Sequence, residues 1–405
     1  MKNNMKISSS VIDIIVIIMF AAYYILPSVS SKYTFMVPLL LGIVYIAFIV
    51  ILDSMKISTV IIKYTLLIVF IALVYMLFTD ASSIAQDVTN RGAKRFISKF
   101  YQIFMMFFPI LLLNRAEKNF TLKQKKFVLL VSLFLYGYVM LTTAKELTLN
   151  PNITRSWSEF SESSTNNIGN YYFVYAIPIL IVLCTMFALR IEIIGLKIVM
   201  IALIVFQIYF LFIAQYTLSV IIGLLGIGFV LFLNAKKQTS RYFMICIFVF
   251  LIILLPSILH FAVAYVPSEQ MAVRLNELYN FIVGEDVIGY NLNGRLTLYI
   301  DSIKAFLSSP IWGNQSLSFD GHATFLTVLS DTGILGGIPF YYLYFSSNNR
   351  VKRIICDNKR QFLPVFIMLL TMGFTNPIHT ALPLMYATWF LAPLIISVYN
   401  KCERK

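Results

Sequence analysis

The chain has 405 residues, of which 59% are hydrophobic and only 12% charged, and its mean hydropathy is +0.82. A soluble domain carries roughly 25% charged residues, so half that complement cannot cover a surface exposed to water, and lipid must be the solvent for most of the chain. The formal charge of +14 does not mark a nucleic-acid binder, because the basic residues recur at nearly every second break between apolar runs, the positive-inside pattern of membrane proteins.

A membrane crossing needs about 20 apolar residues, and twelve such runs follow one another along the chain. They lie near 11–27, 35–52, 64–79, 101–113, 127–144, 171–189, 197–213, 217–233, 242–264, 324–345, 362–375 and 381–398. The runs at 101–113 and 362–375 are short and are expected to extend into their flanks. The stretch 197–233 is broken only at Gln215-Tyr216-Thr217 and predicts a tight hairpin of two helices. Gly223, Gly226 and Gly228 in its second arm are expected to be helix-packing contacts. The predicted fold is an all-α polytopic integral membrane protein of about 12 transmembrane helices, a single membrane domain over residues 1–405. Cys184 and Cys246 sit inside apolar runs, and Cys356 and Cys402 in basic segments, so no disulfide is expected.

Sidedness follows from the basic residues. With the N-terminus inside, the outer segments hold only Lys32, Arg91, Lys94, Arg95, Lys99, Lys145, Arg155, Arg274, Arg295 and Lys304, while the other 22 of the 32 lie inside. Both termini are therefore expected inside. One outer segment runs against the trend, with Arg91, Lys94, Arg95 and Lys99 together; it reads either as an interfacial amphipathic helix or as an anion-binding patch. Two outer connections are large, at about 145–170 and about 265–323, and long connections tend to be functional. The inner loops are too short for a nucleotide-binding domain and no Gly-rich phosphate loop is present. This argues against ATP-driven transport and against a cytosolic nucleotide-sugar donor.

All three histidines, His260, His322 and His379, map to the outer half, as do Glu269, Glu277, Glu285, Asp286, Asp301 and Asp320 of the large loop. Chemistry needing a group that titrates near neutral pH thus has one face available to it. The densest stretch runs from Arg274 to Gly337. It contains Asn293-Gly294-Arg295, then Ser309-Pro310-Ile311-Trp312-Gly313-Asn314, then His322-Ala323-Thr324-Phe325-Leu326, then Leu329-Ser330-Asp331-Thr332-Gly333-Ile334-Leu335-Gly336.

This order resembles the O-antigen polymerase and O-antigen ligase superfamily of bacterial surface-polysaccharide enzymes. Its members show an Arg ahead of an amphipathic segment, a Pro-x-x-Gly turn, and then His, a leucine pair, an acid and Gly-Ile-x-Gly. Two departures are Ala323, where Asn usually follows the histidine, and Asp331, where the acid is more often Glu. The turn at Gly313-Asn314-Gln315 is also poorer in glycine. The resemblance implies a polymerase that joins glycans carried on polyprenyl diphosphate at the outer face of the bacterial cytoplasmic membrane, without cofactor. Donor and acceptor would both be lipid-linked oligosaccharides, with a chain-length regulator and a flippase as partners.

The implied roles suit the residue types. A departing diphosphate needs a cation that binds phosphate through two N–H groups and never deprotonates, so Arg295 and Arg274 are the candidates and Arg155 a third. His322 fits the general base for the acceptor hydroxyl. Asp331 would lie about two turns into the tenth span, where ionisable groups are costly and usually functional. On one continuous helix it would sit opposite His322, nine positions away, so the two act together only if the helix breaks; Gly333, Gly336 and Gly337 permit such a break. Glu285-Asp286 lacks a histidine at ligand spacing, and no metal is expected.

Each residue also has a plain structural reading. Arg295 can pair with Asp301, Arg274 can be a solvated charge beside Glu277, and His322 can cap a helix. Two other functions compete. One is a ligase of the same superfamily, which shares the donor; the other is a flippase for lipid-linked oligosaccharides. Transporters place charges within spans and show paired repeats. Here most spans are free of charge and no repeat is visible, which favours the enzyme.

Overall fold

Lipid offers the backbone no hydrogen-bonding partners, so a spanning segment must satisfy its own N–H and C=O groups, and helices do this internally. In the computed structural model every regular element among the described residues is helical. The described residues are 2–33, 35–52, 59–77, 88–150, 152–154, 166–235, 237–265, 269–285, 290–314, 323–355 and 359–399.

The first half of the chain forms α1 (Lys2–Ile25), α2 (Pro27–Lys32), α3 (Met36–Leu52), α4 (Thr59–Leu77), α5 (Val88–Asn119), α6 (Leu122–Leu149), α7 (Tyr171–Val174), α8 (Ile177–Ala188), α9 (Ile194–Ile213) and α10 (Thr217–Asn234). The second half forms α11 (Gln238–Tyr265), α12 (Glu269–Val283), α13 (Tyr290–Ser308), α14 (Thr324–Ile354), α15 (Lys359–Thr375), α16 (Leu382–Tyr386) and α17 (Ala392–Tyr399). A single π-helical turn, Ala387–Leu391, joins the last two.

The twelve apolar runs all fall on these helices, with α7–α8 and α16–α17 each supplying one. Among the described residues, six helices are long and apolar enough to cross a membrane: Phe96–Asn119, Leu122–Leu149, Tyr171–Ala188, Ile194–Ile213, Thr217–Asn234 and Leu382–Tyr399. Ser10–Ile25, Met36–Ile51, Ile61–Leu77 and Ile252–Tyr265 are apolar but shorter. The chain is thus an all-α, multi-pass membrane protein. The two short runs do extend: 101–113 lies within the 32-residue α5, and 362–375 within α15.

Local chemistry sets the boundaries. The α9–α10 hairpin turns at Gln215, which takes φ +60°, and the Tyr216 N–H donates back to the Leu211 carbonyl at 3.3 Å. Thr121 opens α6 with a reciprocal cap, its side chain accepting from the Gln124 N–H while the Gln124 side chain accepts from the Thr121 N–H. Gly223 faces Ile181 and Gly226 faces Val182 and Met368, as close-packing glycines should. Around Gly228 there is open space to 4 Å where a Cβ would stand, so it serves no such contact.

The core is organised around the end of the chain. Leu384 to Leu394 are almost wholly buried, with Trp389, Phe390 and Leu391 at zero exposure, so Leu382–Tyr399 is a central post rather than a peripheral helix. Packed against it are α1, α5, α6, α8 and α15. At the periphery α9 and α11 turn most of their apolar side chains outward. The large loop, expected as a connection over 265–323, holds two helices. Of these, α12 packs on α11 through a small separate core around Leu259 and Leu275, and α13 lies along α14. The other long connection is shorter than expected at its start, because α6 runs on to Leu149.

Candidate functional site

Two motif segments about 20 residues apart in sequence form one interlocked unit. The helix α14 is broken at Gly333, which takes φ +57° and ψ −155°. The turn that follows α13 fills the break. The N–H groups of Ile334 and Leu335, the first of the second half-helix, donate to the carbonyls of Pro310 (2.8 Å) and Ile311 (3.2 Å). The Asn314 N–H donates to the Ser330 carbonyl at the end of the first half, at 2.7 Å. Backbone groups freed by the break are thereby paired with the turn, which an apolar surrounding requires.

Glycine is needed on both sides of this contact. A Cβ on Gly333 would stand 2.4 Å from the Ile311 oxygen, and one on Gly313, itself at φ +81°, would stand 2.3 Å from the Asp331 carbonyl carbon. The second half-helix then bends back over the first: Cβ atoms on Gly336 and Gly337 would meet the side chains of Thr332 and Leu329. Asp331 sits beside the break with 5% exposure.

A polar cluster closes the start of α14. The Thr324 N–H and hydroxyl both reach the Asn376 carbonyl at 3.2 Å, and His379 Nδ1 lies 3.2 Å from the same hydroxyl. A hydroxyl has one proton. With it directed to Asn376, Nδ1 takes the donor role and Nε2 keeps its lone pair. Beside the imidazole is a cavity of about 20 Å³ lined by Tyr75, Lys99, Gln102, Thr327, Phe340 and His379, room for about one water. Gln102 Oε1 is a buried acceptor without a protein partner there. The Lys99 ammonium stands 4.7 Å from the centre of the Tyr75 ring. Burial, with Lys99 adding to it, pushes the His379 imidazole down to about 3, so it is neutral at physiological pH.

Of the residues expected in the site, Asp331 is buried, about two turns along α14 from Thr324. The helix does break, at Gly333, two positions beyond Asp331. His322 and Arg155 lie outside the described residues. Arg295 belongs to the second turn of α13, which packs along α14, and Arg274 to α12; both are described by their place in the helix alone. The carboxylate expected as a plain partner for Arg295, Asp301, lies 3.9 Å from Lys304 one turn on. Arg91, Lys94, Arg95 and Lys99 all belong to α5, as a direct extension of its apolar part. His260 is exposed, with its ring 5.4 Å from that of Tyr279. Among the described residues no three His, Cys, Asp or Glu side chains gather as a metal site would require.

Sequence reasoning missed a second ionic cluster at the opposite end of α5. Asp13, with no exposed surface, accepts from Arg115 Nη2 (3.2 Å), the Tyr45 hydroxyl (2.5 Å) and Asn119 Nδ2 (2.6 Å). Close by, Lys125 pairs with Glu117 at 2.5 Å, and the Ser397 hydroxyl donates to the same carboxylate. The signal was present, since Asp13 stands alone as an acid near the start of the first apolar run and an acid there needs a partner. Its enclosed geometry, with three donors on the Asp13 carboxylate, joins α1, α3 and α5 and offers no room for a substrate.

Comparison with known protein families, curated proteins and solved structures gives no match. What fold and site define is a class: a multi-pass helical membrane protein with a discontinuous helix whose break is filled by its own preceding loop.

Proposed function

We propose that the protein is a polysaccharide polymerase of the bacterial cytoplasmic membrane, crossing it about twelve times with both termini inside and its site facing outward. The observation that carries this reading is the interlock. The two segments that resemble the polysaccharide-enzyme motif, Ser309–Asn314 and Leu329–Gly336, fold onto each other through their glycines, with the helix of Arg295 alongside. In this reading the bond from the donor's anomeric carbon to the diphosphate oxygen breaks while one forms to the acceptor hydroxyl. His322 takes the hydroxyl proton, and Arg295 and Arg274, with Arg155 as a third cation, hold the departing diphosphate. Asp331 supports the loop at the helix break.

A second reading, a flippase for lipid-linked oligosaccharides, is favoured by the discontinuous helix, a recurrent feature of transporters. One pair of experiments separates them. Purified protein in lipid vesicles, given a lipid-linked repeat unit and no nucleotide sugar, should lengthen the glycan if it is a polymerase. In cells lacking the protein, single repeat units should collect on the outer face for a polymerase and on the inner face for a flippase. Replacing His322, Arg295 and Arg274 singly with Ala should shorten the surface glycan on a gel while membrane insertion is kept; long chains in all three variants would sink the site assignment.

A further inference from the structure

Helices α3 and α4 are consecutive in the chain, yet they hardly touch. α4 packs against α5 and α14, whereas α3 leans mainly on α5, through Gly42 against Phe104 and Phe108, and reaches α1 only through the Tyr45 hydroxyl on Asp13. Between α3 and α4 a cavity of about 60 Å³ is left, walled by Ile46 on one side and Tyr64, Thr65 and Ile68 on the other, and floored by Phe104 and Phe108. The floor continues along α5 to Asn114. About ten residues of helix from Phe104 to Asn114 cover about 15 Å, half of a hydrocarbon core that is about 30 Å thick. The lined stretch of α5 is therefore about as long as one leaflet is deep.

Its end is charged. Arg350 closes it, with Nη2 donating to Asn114 Oδ1 at 3.2 Å. No carboxylate pairs with Arg350 among the described residues; its one hydrogen-bonding partner there is a neutral amide. A guanidinium in an apolar fissure without a counter-ion calls for an anion, and its fork of N–H donors matches a phosphate. Lys352 follows in the last turn of α14, so a head group with net negative charge is favoured over one that brings its own ammonium.

The geometry points to a lipid site: the fissure between α3 and α4 takes one acyl chain of an anionic glycerophospholipid, and Arg350, held by Asn114, takes its phosphate. The site shares no lining residue with the cavity beside His379 and does not depend on the proposed reaction. Its occupant fills a gap in helix packing that no side chain fills, and ties the loosely held α3 to the rest.

The test uses the full-length protein in detergent, with native mass spectrometry and thermal melting during titration by phosphatidylglycerol or by phosphatidylcholine with the same chains. The wild type should retain one phosphatidylglycerol at least about tenfold more tightly than phosphatidylcholine, and melt higher with it. Arg350→Gln should abolish that preference. Thr65→Phe, which fills the fissure without touching a charge, should remove the bound lipid. Lys359→Gln with Arg360→Gln, two exposed cations at the start of α15 near the same end, should leave it bound. Equal binding of the two lipids by the wild type, or retention by Thr65→Phe, overturns the proposal, as does an equal loss in the Lys359/Arg360 variant. If Arg350→Gln does not fold, the wild-type preference and Thr65→Phe still decide.

Discussion

At the scale of single residues, the interlock makes the sharpest demands. Gly313 and Gly333 combine positive φ with backbone within 2.4 Å of where a Cβ would go. An alanine there meets a conformation worth about 1–3 kcal/mol of strain before any clash is counted. Gly313→Ala and Gly333→Ala should each lower the melting temperature in detergent, and the double variant should cost less than the sum, because one contact is lost twice. Gly228→Ala, with open space around it, should leave stability unchanged or raise it by up to about 1 kcal/mol. His379 supplies a pH dependence. Its pKa is lowered in the fold from 6.5 to about 3, so between those values the unfolded chain binds the extra proton and stability rises with pH. Acidification from about pH 7 towards about pH 4 should lower the melting temperature, and His379→Gln should flatten that slope. The glycines were legible as places where a helix can break. Which of Gly333, Gly336 and Gly337 breaks it depended on the turn that fills the gap, and no local pattern encodes that partner.

At the scale of elements, helices were legible because apolar length is a local property. The α9–α10 hairpin was read from three residues, Gln215, Tyr216 and Thr217. The large loop was misjudged as a connection because α12 and α13 are amphipathic, and their partners, α11 and α14, are known only after folding. The same limit hid the Asp13–Arg115 pair, whose members are 102 residues apart. Removing one partner leaves the other charge buried, which typically costs about 3–5 kcal/mol. Asp13→Ala or Arg115→Ala should therefore lower the melting temperature far more than Lys304→Ala, whose pair with Asp301 is exposed and long. Combining Asp13→Ala with Arg115→Met should recover part of the loss, since the second change removes the orphaned charge.

At the scale of the whole molecule, the proposed sidedness has a direct measurement. In a variant without native cysteines, Phe160→Cys and Asp320→Cys should react with a membrane-impermeant maleimide added to intact spheroplasts. Thr239→Cys should react only after permeabilisation; the reverse pattern would invert the topology and move the motif region inside. Composition and the spacing of apolar and basic residues by themselves determined that the chain is helical, bound to lipid and crosses it repeatedly, because the cost of burying charge and unpaired backbone in lipid acts on each segment separately. Only the tertiary structure decided that the last helix is the central post, that a loop fills the break in α14, and that Asp13 meets Arg115. Those outcomes rest on contacts between segments far apart in the chain, where shape and hydrogen-bonding partners select one arrangement from many that satisfy the same apolar pattern.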